Sequence, residues 1–285
     1  MKIKKTILSI IMILAMICSS YIPVFATEEN DDFVFTTSYN PFADTNNSNS
    51  RNIIGLDNRT IITNTDDYPY SAIAKLDIAY NCGCTGKGTG FMISERCMLT
   101  AGHCLVCNEE KKCTGNNKSV ASITAYFGFK EGSNSLLMTI ANPNNSIIYC
   151  NPQYLTSNYD NNYDCGYVVF NTDIGNTTGW FGLVGINDSG LDGLSIQVAG
   201  YVDNVLYKGA GNITSVTNTR IKYDADTESG ESGGPVYANF AAYGYMAVGI
   251  HTTGASLLNW RNAGWRITSS FIDALAAQGY VTKAS

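Results

Sequence analysis

Histidine is nearly missing from this chain. Its 285 residues contain two, so any imidazole chemistry falls to His103 or His251. Basic residues are scarce as well: 18 Lys and Arg stand against 24 Asp and Glu, a net charge of −6. No basic stripe accumulates anywhere, which argues against a nucleic-acid partner. Mild acidity of this kind serves mainly solubility. No internal repeat of fixed period occurs. Convincing helical periodicity is confined to one stretch near the C-terminus. Past the first 26 residues no apolar run is long enough to span a bilayer.

The first 51 residues read as packaging. Lys2, Lys4 and Lys5 precede an apolar run from Ile7 to Ile17, and Val24-Phe25-Ala26 offers small residues for cleavage. Residues 1–26 are therefore expected to be a secretory signal peptide, and the product to be secreted and extracellular. Cys18 lacks the small preceding residue that lipidation requires. Residues 27–51 are polar, rich in Asn, Asp and Ser, with too few apolar positions to pack, and read as a pro-segment. The mature chain is expected to start at Asn52. Removing residues 1–51 takes away four of the 18 basic and five of the 24 acidic side chains, leaving −5.

Nine cysteines are present, eight of them beyond Cys18. In an exported chain an even number points to disulfides. Cys82, Cys84, Cys97, Cys104, Cys107 and Cys113 crowd around His103, while Cys150 and Cys165 lie further on. Cys107 with Cys113 would close a small loop. Cys104-x-x-Cys107 has a zinc-like spacing, but an oxidising destination favours bridges, and no metal ligand is assigned.

From Ile73 onward, short β-rich runs alternate with Gly, Asn and Asp. Ala72–Tyr80, Gly88–Ile93, Ala121–Phe129, Gly166–Phe170, Ser195–Tyr201, Arg220–Tyr223, Pro235–Phe240 and Tyr245–His251 are the predicted strands. Such spacing belongs to barrels or sandwiches. One helix is predicted, from Thr268 to Gln278, with Phe271, Ile272, Leu275 and Ala276 on one face and Gly279 as its stop.

Three separated segments carry chemistry. Thr100-Ala101-Gly102-His103-Cys104 offers a base, Asn162-Tyr163-Asp164-Cys165-Gly166 a carboxylate, and Gly230-Glu231-Ser232-Gly233-Gly234-Pro235 a hydroxyl. A serine hydroxyl is a weak nucleophile at neutral pH and needs an adjacent base. That base needs an acceptor to fix its tautomer. The glycines around Ser232 let the chain turn sharply, so the amides of Gly230 and Ser232 can converge on a developing oxyanion. Asp164 is preferred to nearby Asp160 because an apolar strand, Gly166–Phe170, follows it directly. The chemistry calls for no metal or organic cofactor.

Taken together, these motifs resemble the chymotrypsin-like serine proteases, whose chain order is also His, Asp, Ser. The V8-like glutamyl endopeptidase branch is similar in Asn52-Ile53-Ile54-Gly55, Asp57-Asn58-Arg59-Thr60, Ile62-Thr63-Asn64-Thr65 and Tyr68-Pro69-Tyr70. Gly249-Ile250-His251-Thr252 and Arg266-Ile267-Thr268 also fit. The resemblance implies an all-β fold of two six-stranded antiparallel barrels, about 52–175 and 176–267, with a C-terminal helix, in one protease domain over 52–285. It implies a monomeric enzyme acting on protein or peptide substrates. It places Thr227 and His251 where a glutamate carboxylate would be received, with Thr252 and Gly254 pairing a substrate strand. Two departures stand out. Gly88 precedes Thr89-Gly90 where the family often has a cysteine, and Glu231 replaces an Asp or Gln. In the animal enzymes that Asp binds the new N-terminal ammonium, which here would be the amine of Asn52.

Asp226 lies six residues before Ser232, where trypsin-like enzymes recruit Arg or Lys, so cleavage after basic residues is the alternative to cleavage after Glu. A catalytically dead binding domain is a rival of another class. A lipase or esterase would show Ser, Asp and His in that order, and this chain does not.

Overall fold

The computed structural model describes residues 34–41, 59–107, 117–253 and 261–284. The leader with Cys18, the expected start at Asn52, Cys113 and Gly254 lie outside the described residues.

Two sheets make up the molecule. Two short strands, β1 (Val34–Phe35) and β2 (Thr60–Ile61), come first. The first sheet contains β3 (Ile73–Tyr80), β4 (Thr85–Met92), β5 (Cys97–Thr100), β6 (Val120–Phe127), β7 (Leu137–Ala141), β8 (Ile147–Cys150) and β9 (Gly166–Val169). Its spatial order is β7-β6-β3-β4-β5-β9-β8, antiparallel throughout. In β6, Val120, Ile123, Ala125 and Phe127 are buried while Ala121, Ser122, Thr124 and Tyr126 are half-buried, the period-two pattern of a strand with one face on a core.

The second sheet contains β10 (Gly182–Gly185), β11 (Ser195–Val202), β12 (Val205–Val216), β13 (Arg220–Tyr223), β14 (Pro235–Phe240), β15 (Gly244–Thr253) and β16 (Asn262–Arg266). Strands β15-β14-β11-β12-β13-β16 form a cycle closed by β15 on β16, a six-stranded barrel. The first sheet does not close: it is a seven-stranded half-barrel ending in β7 and β8. The turn joining those two strands is satisfied by its own asparagines. Asn145 Oδ1 accepts from the Asn142 amide, and the Asn142 carbonyl accepts from the amides of Asn145 and Ser146. The fold is all-β and chymotrypsin-like.

Among the described residues there are four short α-helices: α1 (Pro152–Thr156), α2 (Gly175–Thr178), α3 (Asp188–Leu191) and α4 (Ser269–Ala277). Helix α4 is the predicted one. Thr268 caps it by accepting from the Phe271 amide at 3.2 Å, and Phe271, Ile272 and Leu275 are buried. Gly279 follows at φ 73°, a left-handed stop that a side chain would disfavour. One core joins both sheets: Phe91 meets Phe181 edge-on, and Phe181 meets Tyr237.

Residues 34–41 overturn the expectation that 27–51 cannot pack. β1 adds to β10, and the Thr36 amide donates to the Leu183 carbonyl at 2.9 Å. Tyr39 exchanges two backbone bonds with Trp180, and their rings lie 4.5 Å apart. A strand that docks through its backbone needs only a few side chains for burial, which composition alone underestimates.

Candidate active site

His103 sits in a single 3-10 turn, Gly102–Cys104, directly after β5. Asp164 ends a similar turn just before β9, and β5 pairs with β9 through Thr100 opposite Gly166. Adjacent strands thus deliver base and carboxylate side by side. Asp164 is buried and grips the histidine twice: Oδ1 accepts from the His103 amide at 2.8 Å, and Oδ2 accepts from Nδ1–H at 2.7 Å. That fixes the tautomer and leaves Nε2 as the working nitrogen. Gly102 leaves little room beside the pair, because a Cβ would lie 3.1 Å from Asp164 Oδ1 and from the Cys165 amide. Burial works against charge on His103. The Asp164 carboxylate outweighs it, with Cys104 adding, and holds the imidazole well above its ordinary value. Asp160 has another task, capping the turn by accepting from the Asn162 amide.

Ser232 arrives from the second sheet, just ahead of β14. Its carbonyl accepts from the Thr89 amide of β4 at 2.8 Å, and the Cys104 thiol lies 3.7 Å from the same oxygen. Gly233, at φ 90°, sits so close that a Cβ would meet the Thr89 carbonyl at 2.1 Å and Thr100 Oγ1 at 2.3 Å. The serine turn is therefore wedged against the strand leading to His103. The Ser232 hydroxyl makes no hydrogen bond to His103. Neither the Gly230 nor the Ser232 amide is spent on another described residue. Gly230 is in the left-handed region, φ 107°, and its carbonyl accepts from Thr89 Oγ1 at 3.0 Å.

Glu231 is fully buried. Its Oε1 accepts from Arg59 at 3.1 Å, while Oε2 has no partner among the described residues. Burial pushes its carboxyl up to about 7 against the pull of Arg59. The same guanidinium reaches Glu228 at 2.6 Å and lies over the Tyr207 ring.

His251 is buried on β15 behind Ser232, exchanging backbone bonds with Gly233 and Gly234. The Tyr223 hydroxyl donates to its Nδ1 at 2.6 Å. Burial, helped by the charges of His103 and Arg220, pushes it down to about 3, so the ring is neutral at working pH. Thr227 is half-buried, and its enclosed hydroxyl has no hydrogen-bond partner among the described residues. Asp226 is half-buried beside β12, its carbonyl 2.2 Å from where a Cβ on Gly209 would stand. Thr252 is buried, and its hydroxyl lies 3.4 Å from the Ala263 carbonyl.

One cation escaped the sequence reading. Arg220, on β13, donates to the Asn161 carbonyl at 2.7 Å and to Thr253 Oγ1 at 3.1 Å, bridging the loop that bears Asp164 to β15. Its opposite-sign spacing from Asp164 in the chain gives no hint of this meeting. A groove of about 800 Å³, lined by Lys75, Asp77, Gly88, Tyr201, Ser229 and Gly230, opens beside the serine turn.

Comparisons with known proteins agree with this geometry. A family model described as Trypsin matches residues 61–262. An "Extracellular metalloprotease" of Bacillus subtilis (strain 168) is 33% identical over 222 residues, covering 76% of this chain and 66% of the relative. A "Glutamyl endopeptidase" of Bacillus licheniformis is 28% identical over 233 residues, covering 79% and 68%. The chain thus spans about two thirds of the length of these curated relatives. A solved Glu endopeptidase in complex with MPD superposes with TM-score 0.62 at 25% identity, over 79% of this chain and 98% of that one. The protease Anisep from Arthrobacter nicotinovorans, at 17% identity and TM-score 0.59, shares the fold. The word metalloprotease in the first relative's name finds no match in this cleft. Nδ1 of His103 is taken by Asp164 and that of His251 by Tyr223. Among the described residues, the one group of three metal-ligating side chains is made of cysteines elsewhere.

Proposed function

Since the chain belongs to the trypsin family of serine endopeptidases, we propose that Ser232, His103 and Asp164 form its catalytic triad and that it cuts peptide bonds after Glu, with Asp weaker. The double grip of Asp164 on His103 carries the first half of this reading. Ser232 attacks the scissile carbonyl while His103 Nε2 takes its proton. Asp164 stabilises the imidazolium, and the amides of Gly230 and Ser232 receive the oxyanion. His103 then protonates the leaving amine, and water hydrolyses the acyl-enzyme. Catalytic contacts that are long in a free enzyme tighten around substrate, which suits the unbonded Ser232 hydroxyl.

The enclosed hydroxyl of Thr227, without a partner among the described residues, carries the second half. A buried donor without an acceptor is costly, and a substrate carboxylate supplies the acceptor. His251 stands as the second donor, oriented through Nδ1 by Tyr223. Arg220 adds positive charge beside the same strand, which favours an acidic substrate residue over Arg or Lys. Thr252 and Gly254 would pair with the extended substrate.

The protein is read as a secreted monomeric zymogen, with residues 1–26 removed on export and a cut after Arg51 releasing Asn52. Product mapping on a denatured protein mixture tests the whole reading. Cuts after Glu are expected, whereas preference for Arg or Lys would return the pocket to Asp226. A fluorophosphonate probe should label the wild type and not Ser232→Ala; absence of label from both would make this a binding domain.

A further inference from the structure

Cys107 lies four residues beyond His103, yet its partners are not those of the active site. It is 2% exposed, and its Sγ and those of Cys82 and Cys84 all lie within 4.8 Å of one another. The geometry points to a structural metal site in which these three thiolates hold one thiophilic divalent ion, zinc first, tying the β3–β4 hairpin to the segment that carries the catalytic histidine.

Two observations carry this. The donors converge from two places in the chain. Cys82-Gly83-Cys84 is the tip of the hairpin, folded back by bonds from the Gly83 amide to the Tyr80 carbonyl and from the Tyr80 amide to the Cys84 carbonyl, at 2.9 and 3.0 Å. Gly83 sits at φ 87° with open space around it, so the turn places two cysteines on one side without strain. Cys107 is pinned opposite through its amide to the Lys118 carbonyl at 2.8 Å.

Spacing is the second. Zinc–sulfur bonds of about 2.3 Å at a tetrahedral angle put the sulfurs about 3.8 Å apart. A mutual limit of 4.8 Å matches one face of that tetrahedron. Tyr80 packs against the group, its phenol donating to the Cys104 carbonyl at 3.2 Å, and gives the site an apolar wall. Soft thiolates select such ions over calcium or magnesium. Binding releases the thiol protons, so affinity rises with pH.

Elemental analysis and native mass spectrometry of the full chain, purified without chelator or reductant, test this. One zinc per chain is expected, lost in Cys82→Ser and in Cys107→Ser and kept in Cys150→Ser. If those variants fail to fold, cobalt titration of the chelated wild type takes their place, with thiolate-to-cobalt absorption expected at one equivalent. A protein free of zinc that gives no cobalt band overturns the site. So does one whose Cys107 peptide is disulfide-linked to Cys82 or Cys84, or one that keeps its zinc in both serine variants.

Discussion

Replacing Arg59 by Met should destabilise the protein by an amount that depends on pH in a way Glu231 dictates. With its carboxyl near 7, Glu231 is mostly protonated in the folded state at pH 5 and mostly ionised at pH 9. A folded value raised above the unfolded one means that the native state holds the extra proton. The associated stability is complete below about 4.5 and is lost as pH rises through about 7. Arg59 matters only once Glu231 ionises. At pH 5 its removal costs little at this carboxyl. Above pH 7 the variant must either keep the proton or bury an unpaired charge, and keeping it costs about 1.4 kcal/mol per pH unit. By pH 9 the added destabilisation is roughly 3 kcal/mol. The pair with exposed Glu228 contributes ~1 kcal/mol or less and is level across this range. Urea unfolding of both proteins at pH 5, 7 and 9 gives the numbers. The same series in a Glu231→Gln background isolates the coupling. A loss that stays flat from pH 5 to 9, or an equal slope in the Gln background, would refute the reasoning.

Further outcomes concern the catalytic pair, the pocket and Cys104. Asp164→Asn removes the carboxylate that holds His103 high. The acid limb of kcat/KM should move to lower pH while kcat falls about 10⁴-fold; an unmoved limb would detach Asp164 from His103. Thr227→Val should raise KM for substrates with Glu before the cut about tenfold, the worth of one hydrogen bond to a charged group, and leave peptides lacking that carboxylate unchanged. Gly88→Cys places a Cβ 2.7 Å from Cys104 Sγ. The new thiol should bridge to Cys104, seen as a two-dalton loss, and raise stability by about 3 kcal/mol until reductant is added.

Motifs with local chemistry were legible in the chain, and so were strands with unbroken apolar patterning. Ile73–Tyr80, Arg220–Tyr223 and Pro235–Phe240 fall where the pattern puts them. What was missed is long-range. Strand β12 runs through Gly209, Gly211 and Asn212, which look like breakers. The glycines are there because β12 passes against the 224–226 loop, so a Cβ at Gly211 would stand 2.4 Å from the Ala225 amide. Strand β5 is only four residues long and runs into the histidine motif at Thr100, and β16 carries Gly264 pressed against the Ile250 carbonyl. Arg220 near Asp164 and Arg59 on Glu231, 172 residues apart, follow only from barrel closure and leave no local mark.

Thr89 shows how the site is held across the two sheets. It is fully buried, and all of its polar groups are used. The amide donates to the Ser232 carbonyl, and the carbonyl accepts from Thr100 Oγ1 at 2.7 Å, three residues before His103. Its hydroxyl donates to the Gly230 carbonyl and accepts from the Tyr201 amide at 2.9 Å. One residue thus ties β4 and the strand leading to the base to both ends of the serine turn and to β11. The register between His103 and Ser232 is set by short hydrogen bonds in a dry interior, where each is costly to break. Valine has nearly the same shape but would strand two buried backbone groups. That explains why a threonine stands at the sheet junction, where composition alone favours an aliphatic residue, and why Gly233 must come without a side chain beside it.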